Sequence, residues 1–465
     1  MTVVDTPFLL VAVATVLALR VPALRAWRME VLGIFSLAFA GRVVASAGDA
    51  AMLLVMAATG WIMVRLLSRS KSRLLLAFGI GCVLTEFLVS GKILPYTLPW
   101  HPVARAIGLS YVMFRVLHVM VDAHGNELPA GLKLRHYVCY LFCYLTFLAG
   151  PIQGVRDFVA EIGVGKRTNL LAAAKTAVPA IISGYFKYTF VAATFFAFLR
   201  WSQEAGSNMP APIGHAVGWL SFAAYLYASF SGYTDIVRGI GSLIDLDLPA
   251  NFNRPFATIN FLDFWSRWHI SLSDWFKLYV FNPTVKAMIS TTGRPALVPY
   301  LGAIGYFITF FLMGLWHGVS WRFVLYGVCL GAGVCINKLY QLGLSLWLGR
   351  SRTGVLTRRW LYTVVARSLA LGFFIVMLGF LWISAASTDR ATLEGWAEGA
   401  GLVVVAVLLL TALVMAMGEL TASARRLWAP TRAVKAILYG VQAVAVILYV
   451  VVLRLPVPPL LYEYF

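Results

Sequence analysis

Charge is scarce in this 465-residue chain, and negative charge is scarcer still. Asp, Glu, Lys and Arg make up 12% of it, roughly half the share found in ordinary soluble domains, and 19 acidic residues stand against 38 basic ones. A chain this long with so little charge is not read as a soluble globular fold. Cysteines are few and unorganised. Cys82, Cys139, Cys143, Cys329 and Cys335 sit in or at the edge of apolar windows, and neither Cys139 with Cys143 nor Cys329 with Cys335 has a partner cluster. They read as small buried hydrophobes, and no metal site is expected. A glycine-rich phosphate loop and a nucleophile elbow are both lacking. So are a soluble insert, a low-complexity linker and the repeated halves that many transporters show. The expectation is one membrane-embedded domain over residues 1–465.

Apolar residues fill the space that charge leaves, at 60% of the chain. Windows approaching the ~20 residues that cross a bilayer recur at 7–19, 31–47, 50–64, 74–91, 136–152, 177–199, 214–230, 297–316, 323–348, 361–386, 399–417 and 436–453. Backbone amides in hydrocarbon must be satisfied internally, and windows of this length do so as helices. The fold class is therefore an all-α polytopic membrane protein. The first window has no small-residue cleavage site and is expected to stay as a helix.

The net charge of +19 would point to nucleic acid in a soluble protein. Here the positive charges lie between apolar windows, so membrane lipids are the expected partner and nucleic acid is not. Arg65, Arg69, Lys71 and Arg73 form one acid-free block. Arg350, Arg352, Arg358 and Arg359 form a second, and Arg425, Arg426, Arg432 and Lys435 a third. Short basic loops mark the cytoplasmic side. The segment 387–398 carries Asp389, Glu394 and Glu398 with one Arg, as expected of an outer loop. This pattern predicts both termini outside, with a broken or re-entrant segment somewhere in 105–175.

Polar, aromatic and charged residues concentrate in 231–296. Asn251-Phe-Asn-Arg-Pro-Phe256 is turn-like between Pro249 and the following chain. Asn260 then caps a helix whose third residue is Asp263. Beyond it Phe261, Phe264, Trp265, Trp268, Leu272, Trp275 and Tyr279 recur on one helical face, and Asp263, Arg267, Asp274 and Lys277 on the other. The spacing predicts one amphipathic helix over 261–280, lying along the cytoplasmic interface with His269 beside its aromatic face. Such a helix serves equally as a plain anchor or as the wall of a site.

Gly314-Leu-Trp-His-Gly318 closes the window 297–316. An ionisable side chain at membrane depth costs on the order of 2.5–3.5 kcal/mol when charged, so His317 is expected to face a cavity. It also has a structural reading, as a hydrogen-bonding histidine. A neutral imidazole there is able to take a proton from a hydroxyl at physiological pH.

Arg267-Trp-His-Ile-Ser-Leu-Ser-Asp-Trp275 followed by Gly314-Leu-Trp-His-Gly318 resembles the signature pair of the membrane-bound O-acyltransferase family, in its bacterial cell-envelope branch. Ile107-Gly-Leu-Ser-Tyr-Val-Met-Phe114, Ala149-Gly-Pro-Ile152, Phe230-Ser-Gly-Tyr-Thr-Asp235, Pro249-Ala-Asn-Phe-Asn-Arg-Pro255 and Leu461-Tyr-Glu-Tyr-Phe465 follow the order expected of it. The resemblance covers about 105–465, leaving 1–104 as N-terminal helices. It implies a ring of tilted helices around a central tunnel, with His317 and His269 catalytic. Trp265, Arg267, Trp268, Asp274, Lys277, Trp316, Asn251 and Asn253 are implied at substrate-binding positions. It also implies an acyl thioester co-substrate (acyl-CoA or an acyl carrier protein) and no bound cofactor. The acceptor is expected to be a hydroxyl of an exported polysaccharide, reached directly or through an extracytoplasmic partner acyltransferase, with the enzyme in the bacterial inner membrane. Acetyl is the favoured group. D-alanyl or other acyl transfer to teichoic acid, lipid or protein is the alternative within the family, and a proton-coupled transporter the alternative outside it.

Overall fold

The computed structural model describes residues 5–44, 46–89, 108–164, 169–204, 209–318, 320–382, 390–427 and 431–452. Ile107 and the expected tail motif 461–465 fall outside them, as do 387–389 and 428–430 of the expected loops. Among the described residues the only strand-like pairing is one isolated antiparallel bridge, between Phe252 and Trp268. The rest of the regular structure is helical, as the apolar windows require.

Among the described residues seven helices are long and apolar enough to cross a membrane, and a bent pair, Pro7–Arg20 with Pro22–Val43, makes an eighth if it counts as one span. Not every expected window is a plain crossing. The 16-residue helix Arg73–Leu88 reaches about 24 Å, short of a ~30 Å hydrocarbon core. The window 136–152 is not one helix at all. The other windows are helical over most of their described length.

The chain divides into two compact units. The first takes the described residues within 1–185 and 230–250. Its helices are α1 (Thr6–Arg20), α2 (Arg28–Val43), α3 (Ala47–Arg69), α4 (Arg73–Leu88), α5 (Leu109–Gly125), α6 (Leu134–Phe142), α7 (Tyr144–Phe147), α8 (Val155–Val164) and α9 (Leu170–Tyr185). The break between α6 and α7 falls at Cys143, whose ψ of 113° is not helical. Helix ends leave carbonyls without partners, and here a buried cation takes them. Arg115 of α5 donates through Nη1 to the carbonyls of Tyr140 (3.0 Å) and Leu141 (2.7 Å), and through Nη2 to that of Thr146 (2.7 Å). Tyr233 donates its hydroxyl to the carbonyl of Leu145. The broken segment expected within 105–175 is this one, held open by an arginine. A second buried guanidinium, Arg28, spans the carbonyls of Ile162 and Ile244 and lies 3.6 Å from Asp245.

The second unit takes 186–229 and 251–458. A π-helical stretch, Phe186–Val191, leads into α10 (Ala192–Glu204), and α11 (Ala211–Leu243) contributes its residues 211–229. Then follow α12 (Phe261–Trp265), α13 (Ile270–Phe276), α14 (Asn282–Thr292), α15 (Val298–His317), α16 (Trp321–Leu356), α17 (Trp360–Trp382), α18 (Arg390–Leu427) and α19 (Arg432–Ile447). α15 and α16 form an antiparallel hairpin around a short turn. Where they cross, Gly314 of α15 faces Gly327 of α16, and a Cβ on either would enter the other helix's backbone. Small residues are what allow membrane helices to approach so closely. α16 keeps its helix up to Gly349, whose φ of 76° kinks it sharply before the arginine-rich segment 350–356.

Candidate active site

The continuous helix expected over 261–280 is instead two short helices, α12 and α13, with a turn between them and a π-helical stretch, Lys277–Phe281, after them. The cause is competition for the backbone. The chain at 251–253 runs alongside the turn and takes its hydrogen bonds: Asn253 N–H donates to the Arg267 carbonyl and Ile270 N–H to the Asn251 carbonyl, both at 3.0 Å. His269 sits at the turn in the left-handed region, φ 45° and ψ 52°, as the cap of α13. Histidine is among the few side chains that enter this region at modest cost. Its carbonyl accepts from the N–H groups of Leu272 and Ser273.

The capping expected at the start of this segment is present. Asn260 Oδ1 accepts from Asp263 N–H at 2.9 Å, and Asp263 reaches back to Ile259 N–H at 3.0 Å. Arg267 Nε donates to both carboxylate oxygens of Asp263 at 3.0 Å, as the four-residue spacing required. This pair is half-exposed and fixes the geometry of α12. Asp274 and Lys277 are both exposed, and among the described residues no ion pair joins them.

Asn251, expected at a substrate-binding position, is fully buried and clamps the turn. Its Oδ1 accepts from Ser271 Oγ at 2.6 Å and from Ser271 N–H at 3.3 Å. Asn253 is exposed and contributes through its backbone. The His269 ring is buried at 5% exposure. Desolvation pushes its pKa down from 6.5 to about 3, so the imidazole is neutral at physiological pH.

The aromatic face of α12 enters the protein interior. Trp268 stacks on Phe264 (5.5 Å) and packs edge-on against Phe252 (5.1 Å) and Phe374 (5.0 Å). Trp265 lies 4.8 Å from Phe310 of α15. From Phe310 the helix runs seven residues, two turns or about 10 Å, to His317 on the same face. The two histidine motifs thus join one aromatic chain: the His269 turn, Trp268, Phe264, Trp265, Phe310 and α15. Asp274 and Lys277 lie outside it.

His317 is the last residue of α15, half-buried, with rings on several sides. Trp316 lies 4.6 Å from it, Tyr326 5.5 Å and Phe323 6.5 Å in a near-parallel stack. The flanking glycines have separate tasks. Gly314 admits α16, while a Cβ on Gly318 would lie 2.2 Å from the ring of Phe323. A 20-residue helix is about 30 Å long, the whole thickness of a hydrocarbon core.

Three contributors escaped the sequence reading. Phe323 and Tyr326 complete the surround of His317, and they follow the motif at helical spacing. Arg367, an isolated cation within α17, donates to the carbonyls of Thr258 (2.8 Å) and Ala257 (3.4 Å) and so pins the approach to α12. An ionisable residue inside an apolar helix is the signal that would have found it. Among the described residues no cluster of metal-ligating side chains occurs.

Residues 123–376 match the family described as MBOAT, membrane-bound O-acyltransferase family. The chain is 26% identical over 315 residues to a probable alginate O-acetylase of Azotobacter vinelandii, covering 67% of this chain and 56% of that protein. It is 31% identical over 268 residues to a teichoic acid D-alanyltransferase of Bacillus subtilis, covering 54% and 64% respectively. A peptidoglycan O-acetyltransferase of Helicobacter pylori is 36% identical over 122 residues, 26% of this chain and 22% of that protein. The chain thus spans less than two thirds of the length of each of these curated relatives.

Proposed function

Since the chain belongs to the membrane-bound O-acyltransferase family, we propose that it moves a short acyl group, acetyl by preference, from a thioester donor to a hydroxyl of an exported or cell-surface polysaccharide. His317 is the catalytic base in this reading. The observation that carries it is the placement of this histidine: half-buried at the end of α15, ringed by aromatics, and linked through Phe310 and Trp265 to the turn that holds His269. His317 removes the proton from the acceptor hydroxyl as its oxygen attacks the thioester carbonyl. The C–S bond breaks, the ester C–O bond remains, and the thiolate takes the proton back from the imidazolium. A thioester already has a good leaving group, so positioning and proton removal are the tasks left to the protein. His269, neutral and buried, takes the part of a second functional histidine, and Trp265, Trp268 and Trp316 shape the passage.

The donor in this reading is an acyl-CoA or an acyl carrier protein on the cytoplasmic side of the inner membrane, with Arg267 and Lys277 near its phosphates. The acceptor, or a partner acyltransferase that relays the group, approaches from outside. Acetyl is favoured because two of the three relatives described above are O-acetyl-transferring by name. D-alanyl transfer is the second reading, supported by the relative at 31% identity. Mass spectrometry of envelope glycans with and without the gene distinguishes them, since it reports the acyl group and its acceptor together. Glycans with unchanged acylation in the deletion strain would overturn both.

A further inference from the structure

Away from the histidines, the second unit holds a cavity of about 750 Å³ between α12, α16 and α17. That volume falls within the range of about 300–1,000 Å³ typical of ligand pockets. Its composition is graded. Phe261, Gly333 and Phe373 line one part, the amides Asn260, Asn337 and Gln341 another, and Thr353 with Thr357 a third. Tyr340 of α16 and Tyr362 of α17 also line its wall. Beside these, Ile336 and Leu369 line the cavity yet stand 64% and 57% exposed. The opening is therefore apolar and faces sideways between two candidate spans, a position suited to hydrocarbon and not to water.

The threonine end is basic because of the kink at Gly349. Beyond the kink the chain folds back, and Thr353 donates its hydroxyl to the Leu344 carbonyl at 3.2 Å, nine residues earlier. Thr353 and Thr357 line the cavity, so the segment carrying Arg350 and Arg352 and the turn carrying Arg358 and Arg359 adjoin that end along the chain. All four side chains are exposed. Residues 275–388 contain no Asp or Glu, so these arginines have no acid near them in sequence. One turn of α16 deeper, Gln341 Nε2 donates to Asn337 Oδ1 at 3.2 Å, and Leu262 N–H donates to the same oxygen at 3.4 Å. Asn337 Oδ1 is thereby occupied from two sides, so what this lining amide has to offer a ligand is its Nδ2 hydrogens.

We propose that this cavity is a binding site for an anionic phospholipid of the surrounding bilayer. The phosphate lies against Arg350, Arg352, Arg358 and Arg359, the glycerol esters accept hydrogen bonds from Asn337 and Gln341, and an acyl chain runs toward Phe261 and Phe373. Basic residues at the mouth of a groove between membrane helices are the arrangement that selects anionic headgroups. The apolar rim commits the site to a lipid, since a soluble phosphate compound gains nothing from Ile336 and Leu369. The occupied groove would brace α12, which supplies Asn260 and Phe261 to the cavity and Trp265 to the aromatic chain.

The test is native mass spectrometry of the purified full chain after delipidation, with added phosphatidylglycerol or phosphatidylcholine. Phosphatidylglycerol should be retained at least ~10-fold better, and the double variant Arg358→Gln/Arg359→Gln should lose that preference, two basic contacts being worth about that factor or more. Leu369→Trp, which fills the exposed rim, should reduce retention of both lipids. A phosphatidylglycerol with a photoreactive acyl chain should cross-link to α16 or α17 in the unmodified protein. Equal retention of the two lipids, or cross-links confined to other helices, would overturn the proposal. So would displacement of phosphatidylglycerol by coenzyme A, which would make the mouth a donor-phosphate site.

Discussion

Gly314 and Gly327 meet where α15 crosses α16, and a Cβ built on Gly314 would stand 2.2 Å from the Gly327 Cα. Backbone lies on both sides of this contact, so a side chain there cannot be accommodated by a rotamer change. Gly314→Ala should force the helices apart at a cost of about 1–3 kcal/mol, and it should lower activity because His317 is only three residues on. Gly302→Ala on the same helix meets nothing within 4 Å and should be neutral. Thermal unfolding in detergent, run on both variants, separates the two. Equal behaviour would show that the close crossing carries no strain.

The clamp between Asn251 and Ser271 holds the His269 turn. Asn251→Ala removes the acceptor for both the hydroxyl and the N–H of Ser271, leaving buried donors at a cost of about 1–3 kcal/mol each. Ser271→Ala removes only the 2.6 Å hydroxyl bond and should be milder. A clamp that positions a functional histidine should lower kcat well before it changes KM for the donor. A rise in donor KM at unchanged kcat would instead place Asn251 in direct contact with substrate, as the family resemblance alone implies.

Acidification should loosen the same turn. His269 has a folded pKa near 3 against 6.5 unfolded, so between those values the unfolded chain binds the extra proton. Stability is therefore fully present above about pH 6.5 and is lost progressively as pH falls toward 3. His269→Asn, which tolerates the left-handed backbone and does not titrate, should flatten the dependence of thermal stability on pH across that window. An identical slope in the variant would assign the pH response to other groups.

Lys277 is a cleaner probe of donor entry than Arg267, because Arg267 is also tied to Asp263. Lys277→Glu should raise the donor concentration needed for half-maximal rate while leaving acceptor dependence nearly unchanged. Kinetics with donor and acceptor varied separately reads this directly. A variant that loses acceptor use alone would move the donor entrance elsewhere.

Helical character, membrane residence and the two histidine motifs were legible because each rests on a local pattern: long apolar runs, scarce acids, and short conspicuous strings such as Gly314-Leu-Trp-His-Gly318. The cap at Asn260 and the pair of Arg267 with Asp263 were also legible, being contacts three and four residues apart. The breaks were not. The interruption at Cys143 depends on Arg115 reaching carbonyls 25 to 31 residues away, and the turn at His269 depends on a segment some 18 residues upstream. A periodicity read from one stretch has no access to partners that outbid its own hydrogen bonds. For the same reason the window 136–152 reads as a span and folds as pieces. The folding-back of the arginine-rich segment hangs on a single glycine dihedral at Gly349, to which charge counting is blind.

The central claim is that His317 performs the proton transfer, and His317→Ala tests it most directly. The variant should insert, purify and unfold as the parent protein does, since the histidine is half-buried and the helix crossing rests on Gly314 and Gly327. Its acyl transfer to envelope glycan, measured by mass spectrometry of ester-linked groups at matched expression, should fall to background. Near-normal acylation in a well-folded His317→Ala protein would contradict the account.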